Sequence, residues 1–249
     1  MSDLHVDYKE NASWVRQLSL TDFTHDVLIL AGDISASRSR LAWSLEALAR
    51  RFDGLMFVPG NHDLWIIRDA DVSDSIEKFH RVLRIADDCG ASTIPRDFGD
   101  ISVIPLFSWY DHSLAEPHAE LELRWMDYRA CRWPSNMSDV DVACYFAGLN
   151  RYVSPEAQYV MTFSHFLPRI DVMPDCIPPD RRWYYSVLGS ADLDRQLRAL
   201  GSRMHVYGHS HVNRRTMIDG VTYVNNAFGY PSEVRIAGKT LVCIYEAEE

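Results

Sequence analysis

Several histidines, aspartates and one asparagine stand in short motifs that directly follow apolar runs. The tetrapeptide 60–63 (Gly-Asn-His-Asp) follows the apolar run 55–58, which has the length of a strand and ends at Pro59. A strand that ends at a Pro-Gly pair and then offers an amide, an imidazole and a carboxylate is typical of a strand-end active-site loop. Asn and Gly are also ordinary turn residues, so this tetrapeptide alone is equally compatible with a surface turn.

Four further motifs place the same kinds of side chain beside apolar runs. They are Asp3-Leu4-His5, Gly32-Asp33 after 26–31, His165 after 159–163, and Gly208-His209-Ser210-His211 after 204–207. In an extended backbone, the two outer residues of Asp3-x-His5 and of His209-x-His211 point to the same face. Taken singly, the first pair is compatible with a frayed terminus and Asp33 with a helix cap.

Together these side chains have the composition of a metal site. Strand ends converge on one rim of a sheet, so we expect residues far apart in sequence to meet there. Carboxylate oxygens and imidazole nitrogens, with one amide and no thiolate, suit divalent Mn, Fe or Zn. Seven candidates are too many for one tetrahedral ion, and they suit two ions about 3.5–4 Å apart that share a carboxylate. The seven are Asp3, His5, Asp33, Asn61, His165, His209 and His211.

The elements that must position these residues alternate between strands and helices. Apolar runs predict strands at 26–31, 55–58, 101–109, 159–163 and 204–207, and antiparallel strands in the tail at 221–224 and 240–245. Helical spacing and end signals predict helices at 11–20, 38–52, 74–89, 138–149 and 190–200. The run 26–31 lacks alternation, which indicates a strand buried on both faces. The first strand-helix-strand unit therefore places polar residues at the carboxyl ends of its strands.

Two long stretches fall outside this alternation. Residues 113–137 are irregular and rich in Glu, Arg and Trp, and we interpret them as an excursion over the active-site face. Residues 167–189 form a long loop with four prolines, and loops of that length in a compact domain are usually functional. We find no internal repeat and no domain boundary, which predicts a single domain over 1–249.

The composition restricts the class of protein. The chain has 249 residues, of which 47% are hydrophobic and 24% charged, as in a globular domain with a substantial core. No apolar run approaches the roughly 20 residues of a membrane helix, and the first residues do not resemble a signal peptide. Five scattered cysteines argue against a disulfide framework and a zinc cluster, which predicts a reducing cytoplasm. The net charge of -10 disfavours binding of long nucleic acid, but cations bound in a pocket would still admit a small phosphorylated substrate.

The five motifs together resemble the calcineurin-like metallophosphoesterase superfamily. Its blocks D-x-H, G-D, G-N-H-D/E, a lone H after a strand and G-H-x-H occur here in that order between residues 3 and 211. The resemblance implies an α/β fold of four layers (αββα), in which two mixed sheets pack face to face between helices. It also implies that Asp3, His5 and His211 hold a first metal ion, that Asn61, His165 and His209 hold a second, and that Asp33 bridges the two.

The same resemblance implies hydrolysis of a phosphate ester. The metal pair lowers the pKa of a bridging water, and the resulting hydroxide attacks phosphorus in line. His62 is expected to donate a proton to the leaving oxygen, with Asp63 holding that imidazole in the correct tautomer and favouring its protonated form. The candidate contacts for the phosphate or the leaving group are Arg169, Arg181, Arg182, Trp109, Tyr110, Trp183 and Tyr184.

One feature departs from the family pattern. In the family, Asp-x-His ends a buried strand, which needs roughly five residues ahead of it, whereas only Met1 and Ser2 precede Asp3 here. We therefore expect weaker metal occupancy at Asp3, His5 and His211 than at the second site.

Three functions are compatible with the motifs. The first is a dinuclear hydrolase of a small phosphodiester or phosphomonoester. The second is a phosphoprotein phosphatase, which the acidic charge disfavours. The third is a non-catalytic scaffold on the same fold, for which the short first strand is the single supporting feature. The native metals, the substrate and the oligomeric state stay open at this stage.

Overall fold

Strands and helices alternate along most of the chain, as the apolar runs predict. The computed structural model describes residues 1–150, 155 and 157–246. The strands are β1 (Val27–Ala31), β2 (Gly54–Val58), β3 (Arg96–Phe98), β4 (Ile101–Pro105), β5 (Tyr159–Phe163), β6 (Met204–Tyr207), β7 (Arg214–Ile218) and β8 (Val221–Asn225). The helices are α1 (Lys9–Gln17), α2 (Arg38–Ala49), α3 (Ser75–Asp88), α4 (Leu121–Arg124), α5 (Asp127–Ala130), α6 (Asp139–Leu149) and α7 (Ala191–Ala199).

These strands form two sheets. β1 and β2 pair in parallel, with Val27 opposite Gly54 and Ala31 opposite Val58. The second sheet has the order β3-β4-β5-β6-β8-β7, parallel in its centre and antiparallel at both edges. The smaller sheet is thus purely parallel, and the larger one is mixed.

Residues 1–6 lie between the two sheets. The backbone N–H groups of Asp3, His5 and Val6 donate to the carbonyls of Gly32, Asp33 and Ile34, just beyond β1. On the other side, Ser2 pairs in parallel with Ala227, two residues after β8. Leu4 is completely buried, and this short segment carries Asp3 and His5 to the carboxyl end of β1.

Alternate residues of β1 and β2 face different layers, as the period of a strand requires. Leu28, Leu30, Leu55 and Phe57 belong to a core shared with residues of α1, α2 and α3. Ile29, Ala31, Met56 and Val58 belong to a core shared with β4, β5, β6 and β8. On the far side of the larger sheet, α7 contributes Leu193 and Leu197 to a third core. The four-layer αββα arrangement is confirmed.

The tail at 240–245 is not a strand, which corrects the sequence prediction. The Thr240 carbonyl accepts a hydrogen bond from Asn226 just beyond β8, and the Tyr245 ring lies 5.0 Å from that of Tyr159 at the start of β5. The segment therefore crosses the larger sheet instead of extending it, so its apolar residues pack without joining a ladder. β7, which the sequence did not predict, pairs with β8 at that edge. No helix of the described residues is both long and apolar enough to cross a membrane.

The buried amine of Lys78 on α3 ties together the two loops that lead away from β1 and β2. It donates to the carbonyls of Ala36 and Trp65 and forms an ion pair with Asp69, and Lys78 is 1% exposed. Removing one partner of a buried ion pair leaves the others without a donor. This amine is thus a structural link behind the rim where the candidate ligands lie.

We expect Lys78→Met to lower the free energy of unfolding by about 3 kcal/mol, measured by urea denaturation. Met keeps most of the buried volume, so the loss reports the amine. The exposed Lys9 of α1 offers the matched Lys9→Met control, and equal midpoints for the two variants would contradict this role.

Candidate metal centre

The candidate ligands lie where the backbone makes sharp turns at the ends of strands. Five of the seven adopt left-handed conformations, with φ of 54° at Asp3, 42° at His5, 58° at Asp33, 66° at His209 and 54° at His211. Non-glycine residues rarely adopt this conformation, and it persists where the surrounding structure enforces it. Each of these turns directs its side chain toward the rim of the sheets at which the strands end.

The first cluster consists of Asp3, His5 and His211. The Nε2 atoms of His5 and His211 are 3.1 Å apart, and His211 Nε2 lies 3.2 Å from Asp3 Oδ1. The backbone N–H of His209 donates to both carboxylate oxygens of Asp3, which holds this carboxylate in place.

The second cluster consists of Asn61, His165 and His209. His165 Nε2 lies 3.0 Å from Asn61 Oδ1 and 3.1 Å from His209 Nδ1. Its other ring nitrogen, Nδ1, lies 2.9 Å from the carbonyl of Ala31 and serves as the donor, which leaves Nε2 free as a ligand atom.

Asp33 stands between the two clusters. Its Oδ1 lies 3.5 Å from His165 Nε2, and its Oδ2 lies 3.9 Å from His5 Nε2. One oxygen therefore faces each cluster. The structure brings together all seven residues that the sequence analysis selected, in the two predicted groups around Asp33.

The spacing of these atoms fits metal coordination. Two ligand atoms that each lie about 2.1 Å from one ion, at tetrahedral or octahedral angles, are about 3.0–3.4 Å apart. Four of the pairs given above fall at 3.0–3.2 Å. Three groups of His and Asp have the geometry to hold an ion: Asp3-His5-His211, His5-Asp33-His62 and Asp33-His165-His209.

Burial and neighbouring charges shift the pKa values of the candidate ligands away from their usual ranges. Burial lowers the pKa of His5, His165 and His209, which keeps these imidazoles neutral and able to ligate. Burial, with Asp3 and Asp63 nearby, raises the pKa of Asp33 well above its usual range. At His211, burial is outweighed by the carboxylates of Asp3 and Glu233, and the pKa rises to about 10.

The comparisons with known proteins agree with this geometry. A family model described as calcineurin-like phosphoesterase matches residues 1–213. The chain belongs to this family. It is therefore a hydrolase that acts on phosphoric ester bonds.

Two similar proteins extend this finding over most of the phosphoesterase chain. The acyl-carrier-protein phosphodiesterase PptH of Mycobacterium tuberculosis (strain ATCC 25618 / H37Rv) is 27% identical over 262 residues, covering 94% of this chain and 78% of that protein. The crystal structure of Phosphopantetheinyl Hydrolase (PptH) from Mycobacterium tuberculosis matches with a TM-score of 0.79 at 22% identity, covering 94% of this chain and 90% of that one. At this identity, the structural match shows a shared fold.

His62 lies beside the two clusters of the phosphoesterase. Its Nε2 is 3.8 Å from Asp33 Oδ2 and 3.5 Å from the Tyr230 hydroxyl, and its ring stacks on Trp65 at 3.7 Å. Burial, then the nearby imidazoles of His211 and His165, lowers the pKa of His62 to about 3. This shift favours a neutral imidazole that offers an N–H donor, and the protonated form expected from the sequence stays a prediction.

Asp63 has a different role from the expected one. Its carboxylate accepts the backbone N–H groups of Gly60, Asp33, Ile34 and Ser35 at 2.9–3.0 Å. Among the hydrogen bonds found in the described residues, none joins Asp63 to the His62 ring. Asp63 therefore holds the loops after β1 and β2 together through these hydrogen bonds and does not orient the imidazole.

Two of the candidate substrate contacts from the sequence, Tyr110 and Arg169, lie away from the clusters. Tyr110 is 1% exposed and packs among Trp109, Tyr128 and Phe166. Arg169 is held by Asp171, Asp194 and Asp219. Neither side chain lines the cavity of about 400 Å³ above the metal ligands, whereas Trp183 and Tyr184 do.

The sequence analysis missed Asp127, a buried carboxylate in the irregular stretch 113–137. It accepts N–H groups from the Asn61 amide at 2.9 Å, from the Trp65 indole at 2.6 Å and from the Trp125 indole at 2.8 Å. Because the Asn61 nitrogen is occupied in this way, the Asn61 oxygen must face the second cluster. A buried Asp beside three N–H donors cannot be recognised from sequence when those donors are distant along the chain.

Glu233 holds His211 of the first cluster as Asp127 holds Asn61 of the second, and the sequence analysis missed this residue too. Its Oε2 lies 2.6 Å from His211 Nδ1 and accepts the Tyr230 N–H at 2.7 Å. The Tyr230 ring stacks on His5 at 4.6 Å. Both residues lie beyond residue 213, outside the part that the family model matches.

We expect Asp63→Asn to lower the melting temperature and the bound metal content together, because the amide nitrogen cannot accept the N–H groups that face it. The lost stability should be about 2–3 kcal/mol. The readouts are calorimetry and elemental analysis, and the exposed Asp53 supplies the control Asp53→Asn. If Asp63→Asn lowered kcat alone, with stability and metal content unchanged, Asp63 would instead act by holding the His62 imidazole in its tautomer.

We expect Asp127→Asn to weaken binding of the second ion by about 10–100-fold, because one of the two oxygens that accept the N–H groups of Asn61, Trp65 and Trp125 becomes an NH2 donor and the orientation of Asn61 is disturbed. Metal content after dialysis against graded Mn²⁺ or Zn²⁺ buffers measures this affinity. Asp139→Asn is the control, since Asp139 pairs with His112 and Tyr128 and contacts no candidate ligand. Equal affinities in the two variants would remove Asp127 from the metal centre.

Proposed function

We propose that this phosphoesterase is a dinuclear metal-dependent phosphodiesterase. Asp3, His5 and His211 would hold one ion, Asn61, His165 and His209 the other, and Asp33 would bridge them. The observation that carries the proposal is that the two Asp33 oxygens face separate clusters whose ligand atoms are spaced for coordination. Mn, Fe and Zn suit this donor set. Weaker occupancy of the first cluster stays a prediction.

The residues of the chain have separate tasks in the reaction. Two divalent ions bound here would supply hydroxide near neutral pH and neutralise charge on the phosphate oxygens. Asp33 fixes the spacing of the two clusters. His62 faces the same space, and its N–H donates to the ester oxygen as the oxygen-phosphorus bond breaks and a new bond to the attacking oxygen forms. Tyr230 and Trp65 hold the His62 ring from two sides.

A diester is the substrate that the cavity fits best. Among the described residues that line it, Arg124 is the one permanent cation, and the aromatic residues Trp65, Trp125, Trp183, Tyr184 and Tyr230 form much of the wall. A phosphodiester carries a single negative charge and two substituents, whereas a monoester carries up to two charges. The similarity to PptH, an acyl-carrier-protein phosphodiesterase, supports a protein-linked phosphopantetheinyl diester as the candidate substrate.

The alternative functions receive less support. A scaffold on this fold does not require its ligand atoms to converge, yet all seven do so here. A phosphoprotein phosphatase acts on monoesters, for which this cavity provides little positive charge. We also propose a cytoplasmic location, which the five free cysteines support.

We expect the Mn²⁺-loaded protein to hydrolyse bis-p-nitrophenyl phosphate faster than p-nitrophenyl phosphate. His62→Gln should lower kcat by about 10²–10⁴-fold without loss of bound metal, because it removes the imidazole whose N–H donates to the leaving oxygen but none of the seven proposed ligands. The exposed His80 offers the control His80→Gln. Full activity of His62→Gln would refute the role of His62, and no turnover of either ester by metal-loaded protein would refute the phosphodiesterase.

A further inference from the structure

Two irregular segments meet beside the metal centre and form an aromatic cleft. The cleft consists of Arg124 and Trp125 from the stretch 113–137 and of Trp183 and Tyr184 from the loop 167–189. All four line the same cavity as Asn61, His62 and His209. Neither segment belongs to a motif that supplies metal ligands, so the reaction at phosphorus gives no reason for this aromatic wall.

The cleft leads outward from the second cluster. The Trp125 ring lies 5.7 Å from that of His209, and the Trp183 ring lies 6.4 Å from that of Trp125. The guanidinium of Arg124 lies over the Trp183 ring at 5.5 Å, and its side chain is 54% exposed. A chain attached to phosphorus at the clusters would therefore pass Trp125, then Trp183, and reach solvent near Arg124.

The inner wall of this path is fixed in place. The Trp125 indole N–H donates to buried Asp127 at 2.8 Å, and Asp127 also holds the metal ligand Asn61. The Trp65 indole donates to the same carboxylate, and its ring stacks on His62. Aromatic rings held in this way offer apolar surface at little cost in side-chain entropy.

The charge of the cleft restricts what it accepts. Among the four residues that define the cleft, Arg124 is the sole cation, and its Nε already pairs with Glu120 at 2.9 Å. Polyphosphate and nucleotide chains need several cations or a Mg²⁺ complex. Aromatic faces and methylene groups, in contrast, attract one another through burial of apolar surface.

We propose that this cleft is a binding subsite for an extended, uncharged chain on the substrate, and that it selects phosphodiesters in which one substituent is such a chain. The chain stays on the phosphate and lies along Trp125 and Trp183, while the other substituent leaves on the side of His62. The oxygen of a water molecule bonds to phosphorus, the ester bond to the leaving oxygen breaks, and the leaving oxygen gains the proton that the water loses. This inference rests on the proposed phosphodiesterase function.

Two substrates that share a leaving group and a charge isolate the effect of the chain. We would compare p-nitrophenyl octyl phosphate with p-nitrophenyl methyl phosphate on the Mn²⁺-loaded protein. The octyl ester should have a kcat/KM at least tenfold higher, expressed mainly through KM. In Trp183→Ala, the octyl-to-methyl ratio of kcat/KM should fall roughly tenfold. Trp43→Ala is the control, because Trp43 of α2 contacts Arg16 of α1 and does not line the cavity.

A wild-type ratio near one, or an unchanged ratio in Trp183→Ala, would overturn the subsite. Failure of the phosphodiesterase function is distinguishable, because neither ester would then be hydrolysed. In that case, calorimetric titration with methyl octyl phosphate and with dimethyl phosphate still tests the cleft. Tighter binding of the octyl ester, reduced in Trp183→Ala, supports the subsite, and equal binding of the two esters overturns it.

Discussion

The carboxylate of Asp63 is the contact on which the arrangement of the site depends. It accepts four backbone N–H groups from the loops that follow β1 and β2, so the two loops are held at a fixed separation. These loops carry Asp33 and Asn61. Burial raises the pKa of Asp63 to about 6, although the four N–H donors oppose the rise. The close packing also explains Gly60, where a Cβ atom would overlap the Asp33 carboxylate.

The site concentrates buried charge that its own residues do not balance. Asp33 is 1% exposed, and the nearest groups include the carboxylates of Asp3 and Asp63 and several imidazoles kept neutral by burial. Five left-handed residues add backbone strain of about 1–3 kcal/mol each. Such a cluster is costly without a cation, so binding of divalent ions would stabilise the fold as well as enable the chemistry. Elements such as the Lys78 contacts and the three apolar cores offset this cost.

The sequence predicted that the seven candidate ligands meet at one rim, but it did not predict the residues that surround them, for a physical reason. Metal ligands lie in short motifs at strand ends, and the apolar runs locate those ends, so all seven residues could be assigned to a rim. The strands of the core follow from the same runs. The role of Asp63 could not be inferred, because four backbone donors leave no trace in residue type. Tyr110 and Arg169 were selected for their chemistry alone, and burial or ion pairing takes both away from the cavity. The tail 240–245 has the composition of a strand, but it crosses the larger sheet without pairing to one of its strands.

Each metal cluster is supported from outside by one carboxylate, and both come from segments that also form the cavity wall. Asp127 orients Asn61 of the second cluster and holds Trp125, whereas Glu233 orients His211 of the first and lies beside Tyr230. Removing a carboxylate that hydrogen-bonds to a metal ligand in this way commonly lowers metal affinity by about 10–100-fold. A change in the wall that displaced either carboxylate would therefore alter metal binding together with substrate fit. Metal binding and substrate fit are therefore linked through the same side chains in this phosphoesterase. Trp183 and Tyr184 differ, because no hydrogen bond found in the described residues joins either of them to a candidate ligand. Substitutions at these two positions should therefore change substrate selectivity without changing metal binding.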